Sequence, residues 1–322
     1  MSTVLIAVFL SLVSTSSFAL WGKPKTKTVD GNADMGLGEY KGMKHAIGCK
    51  EFTNDAGWHG RWDLGKNLTV MLESALYDSG RFVLVEREQL KDVLIEQDLM
   101  ASGRMAKTKK IAKTGVIRPA KYIASGAVTE VSHNQSGGHG GVSTKWGRIG
   151  GKASDTKIAL VVKLIDTSTS EIVAKQRIEG TAGKKGLDLS NLHIPGTSTA
   201  VDLGGFKEDP VGQAAQDCII QAVKFIAKEM ESFPFDGSVI KASSGKILIN
   251  RGSEYGVEVG QKLVMQTEGE TLLDPDTGAI LGREDGEIIG NLEVTSVKEK
   301  FSSCKVLDGE ANPARGTIVT VK

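Results

Sequence analysis

The stretch HNQSGGHGGVSTKWGRIGGKASDT, residues 133–156, limits more than any other how this chain can fold. It separates AKYIASGAVTEVS from TKIALVVKLIDTST, two segments whose Val and Ile content and alternation read as β-strands. Antiparallel neighbours are normally joined by about two to five residues. Here the connection has 24 residues, seven of them glycine, so it is a loop, a phosphate cradle, or a strand pair that needs a particular environment. A phosphate cradle is the weakest of these, because SGGHGG lacks the lysine and following helix of a P-loop. A second insertion, KKGLDLSNLHIPGTSTAVDLGGF (184–206), follows the strand-like EIVAKQRIEGTAG.

The segments around these insertions alternate between strand and helix. HAIGCKEFT (45–53) has strand alternation, and WDLGKNLTVMLESALYDSG places Leu64, Leu68, Met71, Leu72, Ala75 and Leu76 at helical spacing before Gly80. A short run, RFVLVER, leads into a second helix striped by Leu90, Val93, Leu94, Gln97 and Met100. The two strands flanking the first insertion come next, and EIVAKQRIEGTAG pairs back across the turn DTSTSE. Asp209-Pro210 is an N-cap followed by proline at the first helical position. The helix it opens buries Ala214, Cys218, Ile219, Ala222, Val223, Ile226 and Met230. After SFPFDG (232–237) the pattern changes to short strands with glycine-rich turns, which predicts a small β-barrel over 235–322.

Charge and composition exclude several functions. Lys plus Arg total 40 against 39 for Asp plus Glu, so no global field draws nucleic acid. The Lys-rich KTKKIAK (107–113) has no interleaved aromatics for base stacking and reads as a solvated helix face. No two histidines stand at i, i+4, no G-x-S-x-G elbow occurs, and no carboxylate pair stands out. DPDTG (274–278) begins like a calcium loop, but its flanks are strands and a hairpin turn fits better. No enzyme, cofactor or metal is expected. Cys49, Cys218 and Cys304 lie far apart in apolar settings and read as core residues, although one disulfide would be possible. The apolar run Val4 to Val13, followed by Ser17-Phe18-Ala19, reads as a signal peptide over 1–19, ahead of an exposed leader over 20–44. Ten apolar residues are too few to span a bilayer as a helix.

An exported chain with two long insertions between strands raises the possibility of membrane hairpins. A transmembrane β-strand takes about 9–11 residues, and its free edge must be paired because lipid cannot satisfy it. Four such strands cannot close a wide barrel, whereas a ring of identical chains could. Val142, Trp146 and Ile149 give a broken apolar row in the first insertion. Leu187, Leu189, Leu192, Ile194, Val201 and Leu203 give a better one in the second, with Pro195-Gly196 as a turn. On this pattern alone, flexible loops and membrane hairpins fit equally well.

MLESALYDSGRFVLVEREQLKDVLIEQ (71–97) resembles the signature of the curli secretion channel subunit, the CsgG family. YIASGAVTEVSHNQSGGHGG, VVKLIDTSTSEIVAKQRI and the helix holding Cys218 match in the same order, so the likeness covers roughly 45–231. The resemblance implies a periplasmic α/β (α+β) domain with a mixed sheet that assembles into a ring. Two hairpins per subunit, here at about 132–156 and 180–207, would build one outer-membrane barrel. It also implies that the loop NDAGWHGRWD narrows the pore, making Trp58, His59 and Trp62 the constriction residues. Three departures stand out. No lipid-attachment cysteine follows Ala19, and the hairpins carry Lys145, Arg148, Lys152, Lys184 and Lys185. The β-domain after 235 is additional, and it resembles a contact module of some family relatives and of periplasmic flagellar assembly proteins. The expected function is therefore a subunit of an oligomeric outer-membrane secretion channel that passes polypeptide without nucleotide hydrolysis. The alternative is a periplasmic ring or adaptor of the same fold that forms no pore.

Overall fold

The computed structural model describes residues 35–105, 117–134, 155–182 and 209–321, except for 39, 234, 244, 277, 279 and 285. It also describes 142–144, 147–149 and 205–206. The first body is built on a six-stranded mixed sheet. Strand β1 (His45–Cys49) lies between β3 (Phe82–Leu84) and β4 (Tyr122–Asn134), parallel to both. The short β2 (Thr53–Asn54) also runs parallel to β4. Beyond β4 the sheet turns antiparallel through β7 (Asp155–Asp166) and β8 (Ile172–Thr181), the hairpin expected across DTSTSE. All five residues of β1 are buried rather than alternating, as befits a central parallel strand covered on both faces.

Helices α1 (Leu64–Asp78) and α3 (Pro210–Glu231) pack side by side on one face of the sheet. Their ends are set by caps that the sequence advertises. The Asp63 side chain accepts from the Lys66 amide, and Asp209 accepts from the Val211 amide at 2.8 Å, just before Pro210. Ile158, Leu160, Val162 and Leu164 of β7 alternate toward the helices and meet Cys218, Ile219 and Val223 of α3 in one core. The closest approach is at Gly180 of β8, where a Cβ would come within 2.2 Å of the Ala214 carbonyl. The opposite face of β4, β7 and β8 carries charge, with Arg177 bridging Glu130 and Glu179 at 3.1 Å each.

Helix α2 (Leu90–Ala101) departs from its sequence pattern. Only Gln97 is buried, while Val93, Leu94, Ile95 and Leu99 are between 38% and 55% exposed. Leu90 and Met100 turn partly inward with Gln97. The stripe is therefore helical, as expected, but most of it faces away from the body.

The second body is a closed antiparallel barrel, as the strand pattern after 235 predicts. Its strands are β9 (Gly237–Ser243), β10 (Lys246–Ile249), β11 (Lys262–Gln266), β14 (Ile288–Val297), β15 (Ser302–Gly309) and β16 (Ile318–Val321). Bulges at Leu248/Ile249 and Met265/Gln266 help the short strands curve to closure. The interior holds Val239, Ile247, Ile249, Leu263, Met265, Leu292, Val294, Cys304 and Val319. A two-stranded hairpin, β12 (Thr271–Leu273) with β13 (Ile280–Arg283), extends outside the closed barrel. Its DPDTG turn is closed by the Asp274 side chain, which accepts from the Asp276 amide, and by a Gly278 amide to Asp274 carbonyl bond.

The barrel docks on the end of the sheet where β1 and β4 begin. The Lys44 amide donates to the Tyr255 carbonyl at 2.9 Å, and the pairs Arg118–Glu254 (2.6 Å) and Lys121–Asp236 (2.7 Å) tie the bodies together. All three cysteines are buried free thiols, and burial pushes Cys218 and Cys304 up to about 12.

Candidate functional site

Strand register decides where the two insertions leave the body. Pairing of β4 with β7 runs from Tyr122↔Asp166 to Asn134↔Asp155, and pairing of β7 with β8 ends at Lys157↔Thr181. The first insertion, after Asn134, and the second, after β8, therefore depart from the same end of the sheet, opposite the barrel. Within the first, β5 (Val142–Thr144) pairs antiparallel with β6 (Gly147–Ile149), Val142 opposite Ile149. This register nearly continues that of β4 and β7, so β5 and β6 pair as β4 and β7 do. Of the expected lipid-facing residues, Val142 and Ile149 occupy this strand pair. Trp146, Leu187, Leu189, Val201 and Leu203 lie outside the described residues.

The loop between β2 and α1 sits at the same end. Pairing of Thr53–Asn54 with Ala127–Val128, and the Ala56 amide bond to the Val128 carbonyl, hold it beside the distal half of β4. Phe52 seats the loop from below. Its ring would lie 2.4 Å from a Cβ at Gly126, so only glycine admits it there. Asn54 clamps the turn through its side-chain amide, donating to the Trp58 carbonyl at 2.7 Å and accepting from the Trp58 amide at 3.2 Å.

The three residues singled out in this loop point different ways. Trp58 and Trp62 are half-buried against the sheet-and-helix core, while His59 is exposed at the tip. Trp62 meets the Phe206 ring at 5.3 Å and carries the Arg61 guanidinium over its face at 4.7 Å. Both indole N–H groups are buried without a hydrogen-bond partner among the described residues. Phe206, fully buried, was not apparent in the sequence. It is the lone aromatic between a polar insertion and the Asp209 cap, and it anchors the chain where the second insertion returns. The roots of both insertions and the tryptophan loop are thus gathered at one end of the sheet.

A family model describing the curli production assembly/transport component CsgG matches residues 34–235, well over half of the chain. The chain belongs to the CsgG family. Membership makes it a secretion-related protein of the cell envelope. No curated protein gives a significant match. Among solved structures, this CsgG-family chain is similar to a hypothetical protein from Chlamydia trachomatis (11% identity, 58% of this chain and 97% of that one, TM-score 0.35). It is also similar to the PelC dodecamer from Paraburkholderia phytofirmans (13%, 57% and 89%, TM-score 0.27). A third is lipoprotein GNA1162 from Neisseria meningitidis (14%, 44% and 87%, TM-score 0.23). Overlays this loose say nothing about shared function.

Elsewhere in the CsgG-family body, the perturbed groups have structural causes. Burial, aided by Glu86 and Glu88, raises Glu73 on α1 to about 7. Burial, with Lys121 nearby, lowers His45 to about 4. Among the described residues no three His, Cys, Asp or Glu side chains converge as a metal site. Nor is any described helix long and apolar enough to cross a membrane, which says nothing of strands.

Proposed function

We propose that this CsgG-family chain is one subunit of a homo-oligomeric outer-membrane channel that passes polypeptide without hydrolysing nucleotide. The observation that carries this reading is the shared origin of the two insertions at one end of β4, β7 and β8, with β5 and β6 of the first paired antiparallel. The first insertion between Asn134 and Asp155 is long enough in sequence for two strands of about ten residues, the length of a membrane-spanning strand. Adjacent copies would supply the backbone partners that each hairpin edge lacks. The exposed apolar side of α2 supplies a contact between copies. In such a ring the loop at 54–62 would border the opening, with Trp58 and Trp62 as its anchors and His59 and Arg61 as the groups cargo meets. The barrel would stand on the far, periplasmic side.

The cationic residues Lys145, Arg148, Lys152, Lys184 and Lys185 favour a second reading, a periplasmic ring or adaptor whose insertions stay in water. A Lys or Arg facing mid-bilayer lipid costs about 2–4 kcal/mol, whereas a lumen-facing one avoids that cost. The two readings separate when the full chain is expressed, membranes are fractionated and detergent extracts are sized. The channel reading expects a membrane-embedded assembly that resists detergent until boiled. It also expects Asp at Val142, Trp146, Leu189 and Val201 to release the protein from the membrane. A water-soluble monomer, or fractionation unchanged by the four substitutions, would overturn it.

A further inference from the structure

Between the first body and the barrel lies a cleft of about 480 Å³, at the end of the sheet opposite the insertions. This volume lies within the usual range for small-molecule sites, about 300–1,000 Å³. Its walls carry five basic side chains, Lys44, Arg118, Lys121, Arg251 and Lys300, against two acids, Asp236 and Glu254. Both acids are already engaged. Glu254 pairs with Arg118 at 2.6 Å and Asp236 with Lys121 at 2.7 Å. Lys44, Arg251 and Lys300 therefore line the space without a carboxylate partner among the described residues.

Arg251 is the telling residue. Its guanidinium carbon lies 4.6 Å from the centre of the Tyr255 ring and 5.6 Å from that of Phe235, so two aromatics hold it in place. One Nη1–H donates to the neighbouring Asn250 carbonyl at 3.1 Å, but Nε is sealed from solvent with no partner among the described residues. A buried donor on a charged group left unmatched is costly, and native structures rarely keep one without a reason. Burial lowers the pKa of Arg251, with Asp236 and Glu254 opposing it in part, and burial alone lowers that of Lys44. His45, on the same wall, stays neutral beside Lys121 and Arg251.

We propose that this inter-domain cleft binds a small ligand through a carboxylate or phosphate group, held by Arg251 and Lys44. The fork of guanidinium N–H donors suits a planar or tetrahedral oxyanion, and Lys44 adds a point charge. Lys300 at the exposed rim attracts the anion without enclosing it. Because walls from both bodies would share the ligand, occupancy fixes the barrel against the sheet. The proposal stands whether or not the chain forms a pore.

The test uses the full chain, with thermal midpoint and isothermal titration read against inorganic phosphate and against citrate at constant ionic strength set with NaCl. The expected result is a saturable rise in midpoint with at least one of the two anions. Affinity should weaken at least tenfold in Arg251→Gln and several-fold in Lys44→Gln. The preferred anion identifies the ligand's headgroup as phosphate or carboxylate. Lys44→Gln keeps the test valid if Arg251→Gln unfolds, since the Lys44 amide bond to Tyr255 does not involve its side chain. No saturable response to either anion, or an equal response in wild type and both variants, would overturn the proposal.

Discussion

Helices α3 and α2 carry apolar stripes of the same kind, yet the protein treats them oppositely. Helix α3 buries twelve of its 22 residues against the sheet and α1. Helix α2 buries one of its twelve, leaving Val93, Leu94, Ile95 and Leu99 largely in the open. A helical stripe reports that a surface wants cover, not whether the same chain provides it. For α3 the cover is β7 and β8; for α2 we assign it to a neighbouring copy.

The comparison breaks first if α3 is not the pillar of the fold. Ile219, fully buried, becomes a cavity in Ile219→Ala, and equilibrium denaturation should show a loss of about 2–5 kcal/mol. A smaller but informative change is Gly180→Ala. Its methyl would press on the Ala214 carbonyl and the Cys218 sulfur, so α3 must lift from β8 at a cost of about 1–3 kcal/mol.

Charge sharpens the contrast further. Glu73 on the covered helix α1 titrates near 7 in the native state, raised by burial and by Glu86 and Glu88. Between its ordinary value of about 4.5 and 7 the native chain holds the extra proton, so this residue makes stability fall as pH rises and adds no slope above 7. Glu73→Gln should remove that slope and leave the variant about 1–2 kcal/mol more stable than wild type at pH 8, after allowing for solvent screening. His45 acts at the other limb: its native value near 4 means stability is lost as pH falls from about 6.5 toward 4. Stability measured across pH in wild type and in Glu73→Gln separates the two limbs.

The smallest effect on folding is expected on α2. The double variant Leu94→Asp, Ile95→Asp should change unfolding free energy by less than about 0.5 kcal/mol, while sizing in detergent shows loss of the assembly. A large stability loss instead would mean that α2 is core, and the comparison would fail.

Much of this was legible in the residues themselves. The Asp209-Pro210 start of α3, the DTSTSE hairpin, the DPDTG turn and the strand rhythm after 235 are local signals, and the structure reproduces them. What stayed hidden depends on distant partners. Nothing near 45–49 shows that β1 runs parallel to β3 and β4, or that both of its faces are covered. Trp58 and Trp62 sit in a loop without periodicity, and the inward packing of Trp62 emerges only with Phe206, a residue more than 140 positions away. The cleft around Arg251 is equally invisible in sequence, since its walls come from six separate segments. The first insertion was legible only as a choice between loop and hairpin; within it the structure pairs Val142–Thr144 with Gly147–Ile149.

The most direct measurement is ion conductance across a planar lipid bilayer by the purified assembly, compared with a variant whose residues 135–154 and 183–204 are replaced by short turns. The channel reading predicts discrete, long-lived conductance steps from the full chain and none from the variant. An assembly that never conducts, or one that conducts equally well without its two insertions, would contradict it.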